Sequence, residues 1–146
     1  MPAQKSGSIP EFRLPNWVNH CVKLLGPSYT ISTKVKPFYL RGDFDGDGKS
    51  DYAVLVQRSG QQGFVICRAS SGKPILLGAG ASFHKMRDLN FNDWQIHARM
   101  KPVEEGVEAG RPPTLLGDAI LIEWDESASA IVYWNSKQFV WYQQGD

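Results

Sequence analysis

Residues 43–51 read Asp-Phe-Asp-Gly-Asp-Gly-Lys-Ser-Asp, and no other stretch constrains the chain as tightly. Asp43, Asp45 and Asp47 fall at alternate positions, and Asp51 follows a glycine-bearing turn. Ionised carboxylates packed this closely repel one another, so the loop needs a counter-charge to settle. A hard cation supplies it, and Ca²⁺ takes about six to eight oxygens in flexible cages of this kind. Asp43, Asp45, Asp47 and Asp51 offer side-chain oxygens, and the Lys49 carbonyl joins them where Gly48 lets the backbone turn inward.

The spacing separates this loop from an EF-hand, which needs a bidentate Glu at its twelfth position and a helix on each flank. Counted from Asp43, the twelfth residue is Val54. The flanks, Phe38–Arg41 and Tyr52–Val56, are rich in aromatic and β-branched residues and predict strands. Asp51 therefore closes the cage, and the segment reads as a β-hairpin calcium loop.

Gly42 to Val56, read as Gly-Asp-Phe-Asp-Gly-Asp-Gly-Lys-Ser-Asp-Tyr-Ala-Val-Leu-Val, resembles the core of an FG-GAP or VCBS-type repeat. Such repeats form propeller blades in integrin α-subunits and in many bacterial extracytoplasmic proteins. The resemblance implies Ca²⁺ in a DxDxDGxxD loop between two strands, held by Asp43, Asp45, Asp47, the Lys49 carbonyl and Asp51. It covers about fifteen residues in a single copy, whereas a propeller needs about four to eight blades. The metal site carries over and the propeller does not. As a whole the chain also resembles small bacterial extracytoplasmic proteins of unknown function that end in a Trp-Tyr-Gln-Gln-Gly-Asp-like tail, here residues 141–146.

A length of 146 residues suits one domain, with residues 1–12 as a flexible lead and 13–146 as the globular body. A net charge of +1 gives no global pull toward nucleic acid or anionic membrane. Up to Arg41, six Lys or Arg stand against Glu11 alone, which reads as a solvated face or a weak acidic-partner patch. No run of about 18 apolar residues exists, so no membrane span is expected. The first residues lack the apolar stretch of a secretory signal, so the protein either stays inside the cell or is a mature form. The calcium loop argues for an extracytoplasmic, periplasmic or secreted, location. Extracellular modules work at about 10⁻⁴–10⁻³ M Ca²⁺, far above cytosolic levels. Cys21 and Cys67 form either one disulfide, tying an N-terminal helix to a central strand, or two buried thiols. Neither has a C-x-x-C partner for zinc.

Along the chain one helix precedes a β-rich body. Pro15 suits a helix start, Trp17, Val18, Cys21, Leu24 and Leu25 recur at helical spacing, and Gly26-Pro27 stops the run. Strands are expected near 34–41, 52–58, 63–69, 74–78, 94–99, 118–124, 130–134 and 138–143. Turns fall at Ser59-Gly60 through Gly63, Ser71-Gly72, Asp125-Glu126-Ser127 and Asn135-Ser136-Lys137. Residues 79–92 read as irregular and 100–114 as a long surface loop, a candidate functional loop by its length. The order predicts an α+β, mainly β fold: an antiparallel meander, sandwich-like or a curled open sheet, with one N-terminal helix. Strands apolar on both faces, Tyr52–Val56 and Ala119–Ile122, favour sheets buried on two sides.

Trp124, Tyr133, Trp134, Trp141 and Tyr142 cluster on three late strands. They either present a partner-binding surface for a carbohydrate or a protein, or pack the core and its edges. Other motifs carry less. Arg41-Gly42-Asp43 spells an adhesion tripeptide, but Asp43 is already the first metal ligand. Ser70-Ser71-Gly72-Lys73 lacks the first P-loop glycine and is followed by Pro74, so it is a turn. Gly78-Ala79-Gly80 reads as a flexible loop. Asp88, Asn90, Asn92 and Asp93 form a polar run with no glycine to organise a cage. His20, His84 and His97 have no partner spacing, and no G-x-S-x-G elbow exists. Glu104, Glu105 and Glu108 lie in the long loop, where carboxylates are ordinarily solvated.

The chain thus reads as a calcium-binding, non-catalytic, monomeric module that binds a protein or carbohydrate. The alternatives are a metal-containing hydrolase-type enzyme and a purely structural accessory domain.

Overall fold

A computed structural model describes residues 14–107, 109–125 and 128–145. The segment expected to be flexible, residues 1–12, lies outside the described residues, as do Glu108, Glu126, Ser127 and Asp146. Helix α1 (Asn16–Lys23) is followed by β1 (Thr30–Ile31), β2 (Tyr39–Gly42), β3 (Asp51–Arg58), β4 (Gln61–Cys67) and β5 (Pro74–Gly78). Then come β6 (Asp93–His97), β7 (Ala119–Glu123), β8 (Ser129–Trp134) and β9 (Phe139–Gln143). The fold is mainly β with one helix, and every strand pair is antiparallel.

Pro15 is the cap of α1 and not its first turn, and its carbonyl accepts the Val18 and Asn19 N–H groups. The buried stripe is narrower than the apolar spacing suggests. Val18, Cys21 and Val22 are buried, whereas Trp17 and Leu24 are exposed. Trp17 instead meets Tyr52 of β3 edge-on at 5.9 Å.

The first sheet runs β1-β3-β4-β5, with β2 also on the free edge of β3. Of the strand expected over 34–41 only the end pairs, as β2 (Tyr39–Gly42), and β1 (Thr30–Ile31) is a short strand outside that range. Ser32 donates to the Leu55 carbonyl, the chain leaves the edge, and Phe38 returns to accept from the Leu55 N–H. Pro37 has no N–H for the ladder, so the break falls where the backbone cannot pair. Its carbonyl turns inward and accepts Trp94 Nε1–H at 2.6 Å. The β3–β4 hairpin closes on Ser59 and Gly60, both at positive φ (50° and 79°), the pairing that a two-residue turn matched to strand twist requires. That turn brings β4 in at Gln61, two residues earlier than expected.

The second sheet is the meander β6-β7-β8-β9. Alternation puts Trp94, Ile120, Ile122, Val132 and Phe139 on its inner face, where they share one core with Phe64, Ile66 and Leu55 of the first sheet. Phe64 and Trp94 meet across this interface at 5.4 Å. The arrangement is sandwich-like, with α1 on the far side of the first sheet. Because β3 and β4 are covered by α1 on one face and by the second sheet on the other, most residues along them are buried.

Cys21 and Cys67 are bonded, with Cα atoms 6.1 Å apart, and this bridge fastens α1 to β4. The outer face of the second sheet is covered as well. Leu115, Val103 and Ala109, from the long segment between β6 and β7, pack on Ala119, Ile131 and Tyr142. The stretch read as a surface loop is therefore pinned. Tyr142 Oη accepts the Gly106 N–H and donates to the Gly110 carbonyl, both at 2.9 Å, while Met100 and Val107 stay exposed.

Candidate metal centre

The acidic loop connects β2 to β3, and the Gly42–Asp51 pair closes its base. Phe44 points into the core and is fully buried, so the loop is anchored from within. Gly46 and Gly48 sit at φ +77° and +87°, which curls the backbone around the Asp43 carboxylate. Asp43 Oδ1 accepts the Gly46 and Asp47 N–H groups (2.9 and 3.1 Å), and Oδ2 accepts Gly48 N–H (2.8 Å). Asp45 accepts Asp47 N–H at 3.3 Å, and Asp47 accepts Lys49 N–H at 2.9 Å. Asp51, fully buried, takes Phe44 N–H on one oxygen and Ala69 N–H on the other, both at 2.9 Å.

This lattice brings together the four expected carboxylates. One oxygen from each of Asp43, Asp45, Asp47 and Asp51 lies within 4.8 Å of the others. Lys49 lies in the same turn, tied to Asp47 through its N–H. Among the described residues this is the one group of three or more His, Cys, Asp or Glu side chains near enough to share an ion. The donors are all oxygens, the set a hard cation selects. The cluster can hold a metal ion.

The charges are visibly in conflict. Burial pushes the Asp51 carboxyl up to about 6, with the Asp45 and Asp47 charges adding and the Ala69 and Phe44 N–H groups opposing. Asp45 is also raised, first by burial and then by Asp47. Asp47, on the open side, is lowered chiefly by the Lys49 N–H.

Three contacts of this loop have no local signal in the sequence. Asp118, ahead of β7, accepts Asp43 N–H on Oδ2 (3.0 Å) and Arg99 N–H on Oδ1 (3.0 Å), while its own N–H donates to the Asp43 carbonyl at 2.8 Å. Gly46 lies so close to this segment that a Cβ there would stand 2.2 Å from the Leu116 carbonyl oxygen. A Cβ on Gly117 would stand 2.4 Å from the Asp43 carbonyl oxygen. The loop of the first sheet is thus docked on the second. Third, Arg68 and Ser70 reach Asp45 Oδ2, at 3.6 and 3.3 Å.

The five aromatics are divided between the two faces. Trp124, Trp134 and Trp141 border the inner core, and Tyr133 and Tyr142 belong to the outer cluster. Arg68 lies over the Trp134 ring at 4.7 Å. Trp141 meets Trp124 at 5.6 Å, Phe83 at 5.9 Å and the His84 ring, stacked within 8° of parallel, at 5.0 Å. His84 and Lys85 form a tight turn at positive φ inside the stretch expected to be irregular. His20 is exposed on α1, and buried His97 contacts the Lys101 carbonyl through Nε2 at 3.0 Å. Asp88, Asn90, Asn92 and Asp93 each turn to a different partner: Gln62 N–H, Trp124 Nε1–H, Asp125 N–H and Trp94 N–H. Ser70 to Lys73 is a turn, as its sequence predicts. No helix among the described residues is long and apolar enough to cross a membrane.

Comparison with known proteins returns no matching family model, no similar curated protein and no similar solved structure.

Proposed function

We propose that this chain is a calcium-stabilised, non-catalytic module of an extracytoplasmic compartment, with a single FG-GAP/VCBS-type loop as its metal site. The observation that carries the reading is the convergence of four carboxylates within 4.8 Å. Oxygens on opposite sides of a Ca²⁺ ion, at 2.3–2.6 Å each, are about 5 Å apart; around Mg²⁺ they are about 4 Å apart. A separation of up to 4.8 Å leaves room for the larger ion. Asp43, Asp45, Asp47 and Asp51 would hold it with the Lys49 carbonyl. When bound, the cation neutralises the carboxylates that burial and mutual repulsion now strain. The residues of the chain do the rest: Asp43 gathers the turn, Phe44 anchors it, and Asp118 ties it to the second sheet. The Cys21–Cys67 bridge supports an oxidising compartment.

Partner binding, to a protein or a carbohydrate, would use the Trp124–Trp141 border or the exposed part of the 100–114 segment. One observation favours the purely structural reading instead. Trp134 is covered by Arg68 and Trp141 by His84, so two indole faces are already engaged internally. A hydrolase reading would need a histidine or a further acid beside the metal, and the cluster consists of the four aspartates.

Thermal melts in EDTA and in millimolar Ca²⁺, with Mg²⁺ and Asp45→Ala as controls, test the metal reading. At a hundredfold excess over Kd, a ligand specific for the folded state adds about 2.7 kcal/mol, equivalent to about 5–10 °C for a chain of this size. A Ca²⁺-specific rise of that order, abolished in Asp45→Ala, is the expected result. Identical melting in EDTA and Ca²⁺ would refute it.

A further inference from the structure

Arg68 follows directly on Cys67 at the end of β4, and it forms the one ion pair to the acidic loop among the described residues, Nη1 to Asp45 Oδ2 at 3.6 Å. Its guanidinium carbon lies 4.7 Å over the Trp134 ring. Its Nε is buried and has no hydrogen-bond partner. The side chain keeps 21% of its exposure, so it is largely but not wholly withdrawn from solvent. An N–H left unpaired under cover is unfavourable, so the carboxylate and the indole face must hold the group in place. Asp45 has matching needs. Its side chain retains 7% of its exposure, which leaves its charge dependent on a nearby cation.

We infer that Arg68 is a built-in rival of the metal, occupying Asp45 in the metal-free loop and lowering the loop's affinity for a divalent cation. The inference rests on the reading of residues 43–51 as a Ca²⁺ loop. Once an ion enters, two cations draw on one carboxylate. Arginine cannot relieve the conflict by losing its proton. Its seat over Trp134 limits how far it can swing away. A unit charge about 6 Å from a divalent ion in a water-like dielectric weakens binding by about tenfold. That penalty sets the loop toward the weak range of extracellular modules, about 10⁻⁴–10⁻³ M, and away from the tighter intracellular sensors. Arg68 also ties the loop to β8 through Trp134, so indole emission should report occupancy of a site several side chains away.

Calorimetric Ca²⁺ titration of the wild-type chain, Arg68→Gln, Arg68→Met and Arg68→Lys tests this, with near-UV circular dichroism reporting each fold. The two neutral variants are expected to bind Ca²⁺ about tenfold more tightly, and Arg68→Lys to stay within about threefold of wild type. Arg68→Met still covers Trp134, so it carries the test if Arg68→Gln does not fold. In EDTA the neutral variants should melt lower than wild type while their Ca²⁺-induced rise grows. A residue that merely positioned Asp45 would lower both. Wild-type binding with unchanged or weaker binding in the neutral variants overturns the role of Arg68 and leaves the calcium loop standing. No binding by the wild-type chain overturns the calcium loop, and the role of Arg68 with it.

Discussion

Gly46 and Gly48 allow the docking of the acidic loop to be separated from its curvature. Both sit at similar positive φ, +77° and +87°, so an alanine at either position meets the same backbone penalty, about 1–2 kcal/mol. Their surroundings differ. A Cβ on Gly48 meets nothing within 4 Å, whereas on Gly46 it would stand 2.2 Å from the Leu116 carbonyl oxygen. The obstructing atom belongs to the backbone just ahead of Asp118, so relief requires the loop and that segment to part by about 1 Å. Parting breaks the paired bonds between Asp43 and Asp118, at 2.8 and 3.0 Å. Each of those is worth about 1 kcal/mol net. Gly46→Ala should therefore cost about 3–4 kcal/mol and Gly48→Ala about 1–2 kcal/mol. Urea unfolding in EDTA measures both without a contribution from metal, and unchanged m values would keep the comparison valid. Equal losses for the two variants would refute the claim that this loop joins the sheets.

Three further outcomes are expected. Without metal, stability should rise as pH falls from about 7 toward 4. Asp51 holds its proton to about 6 in the folded chain, against an ordinary value of 3.8, so protonation favours the folded state across that window. The raised Asp45 acts in the same direction, and the lowered Asp47 acts only below its ordinary value. Denaturant melts in EDTA that weaken from pH 7 to pH 5 would contradict this; under the proposed Ca²⁺ binding the trend should invert, because the same proton competes with the ion. Removing the disulfide with Cys21→Ala and Cys67→Ala frees a loop of 46 residues and should cost about 4 kcal/mol, read as a drop in the urea midpoint. An eight-residue helix does not persist alone, so hydrogen exchange over Asn16–Lys23 should accelerate first. Tyr142→Phe removes the hydroxyl that accepts from Gly106 and donates to Gly110. It should cost about 1–3 kcal/mol and speed amide exchange at residues 101–111, with β3 and β4 unaffected.

Most of the short-range features were legible in the sequence, whereas the contacts between distant segments were not. The acidic hairpin loop was legible because its information is short-range: carboxylates two residues apart, glycines at the curl, and β-forming flanks. The approximate positions of most strands and the turns at Ser59-Gly60, Ser71-Gly72 and Asn135–Lys137 were legible for the same reason, since period-2 patterning and turn chemistry act over a few residues. Trp17 and Leu24 show the limit of that logic within a single helix. Helical spacing groups them with the apolar stripe, but the packing of α1 on the first sheet buries only Val18, Cys21 and Val22.

That Asp43, Asp45, Asp47 and Asp51 share one loop between two strands of a mainly β chain follows from local sequence. What that loop rests on follows from the packing of the two sheets. Asp118 lies 75 residues from Asp43, and Cys67 lies 46 from Cys21; no spacing rule spans such distances. Arg68 likewise meets Asp45 and Trp134 because the β4 end, the loop and β8 converge, and the fate of the indole faces follows from that convergence. Local patterns select the conformation of a segment. Which face another segment covers depends on how two sheets pack, a choice made by the burial of whole faces at once.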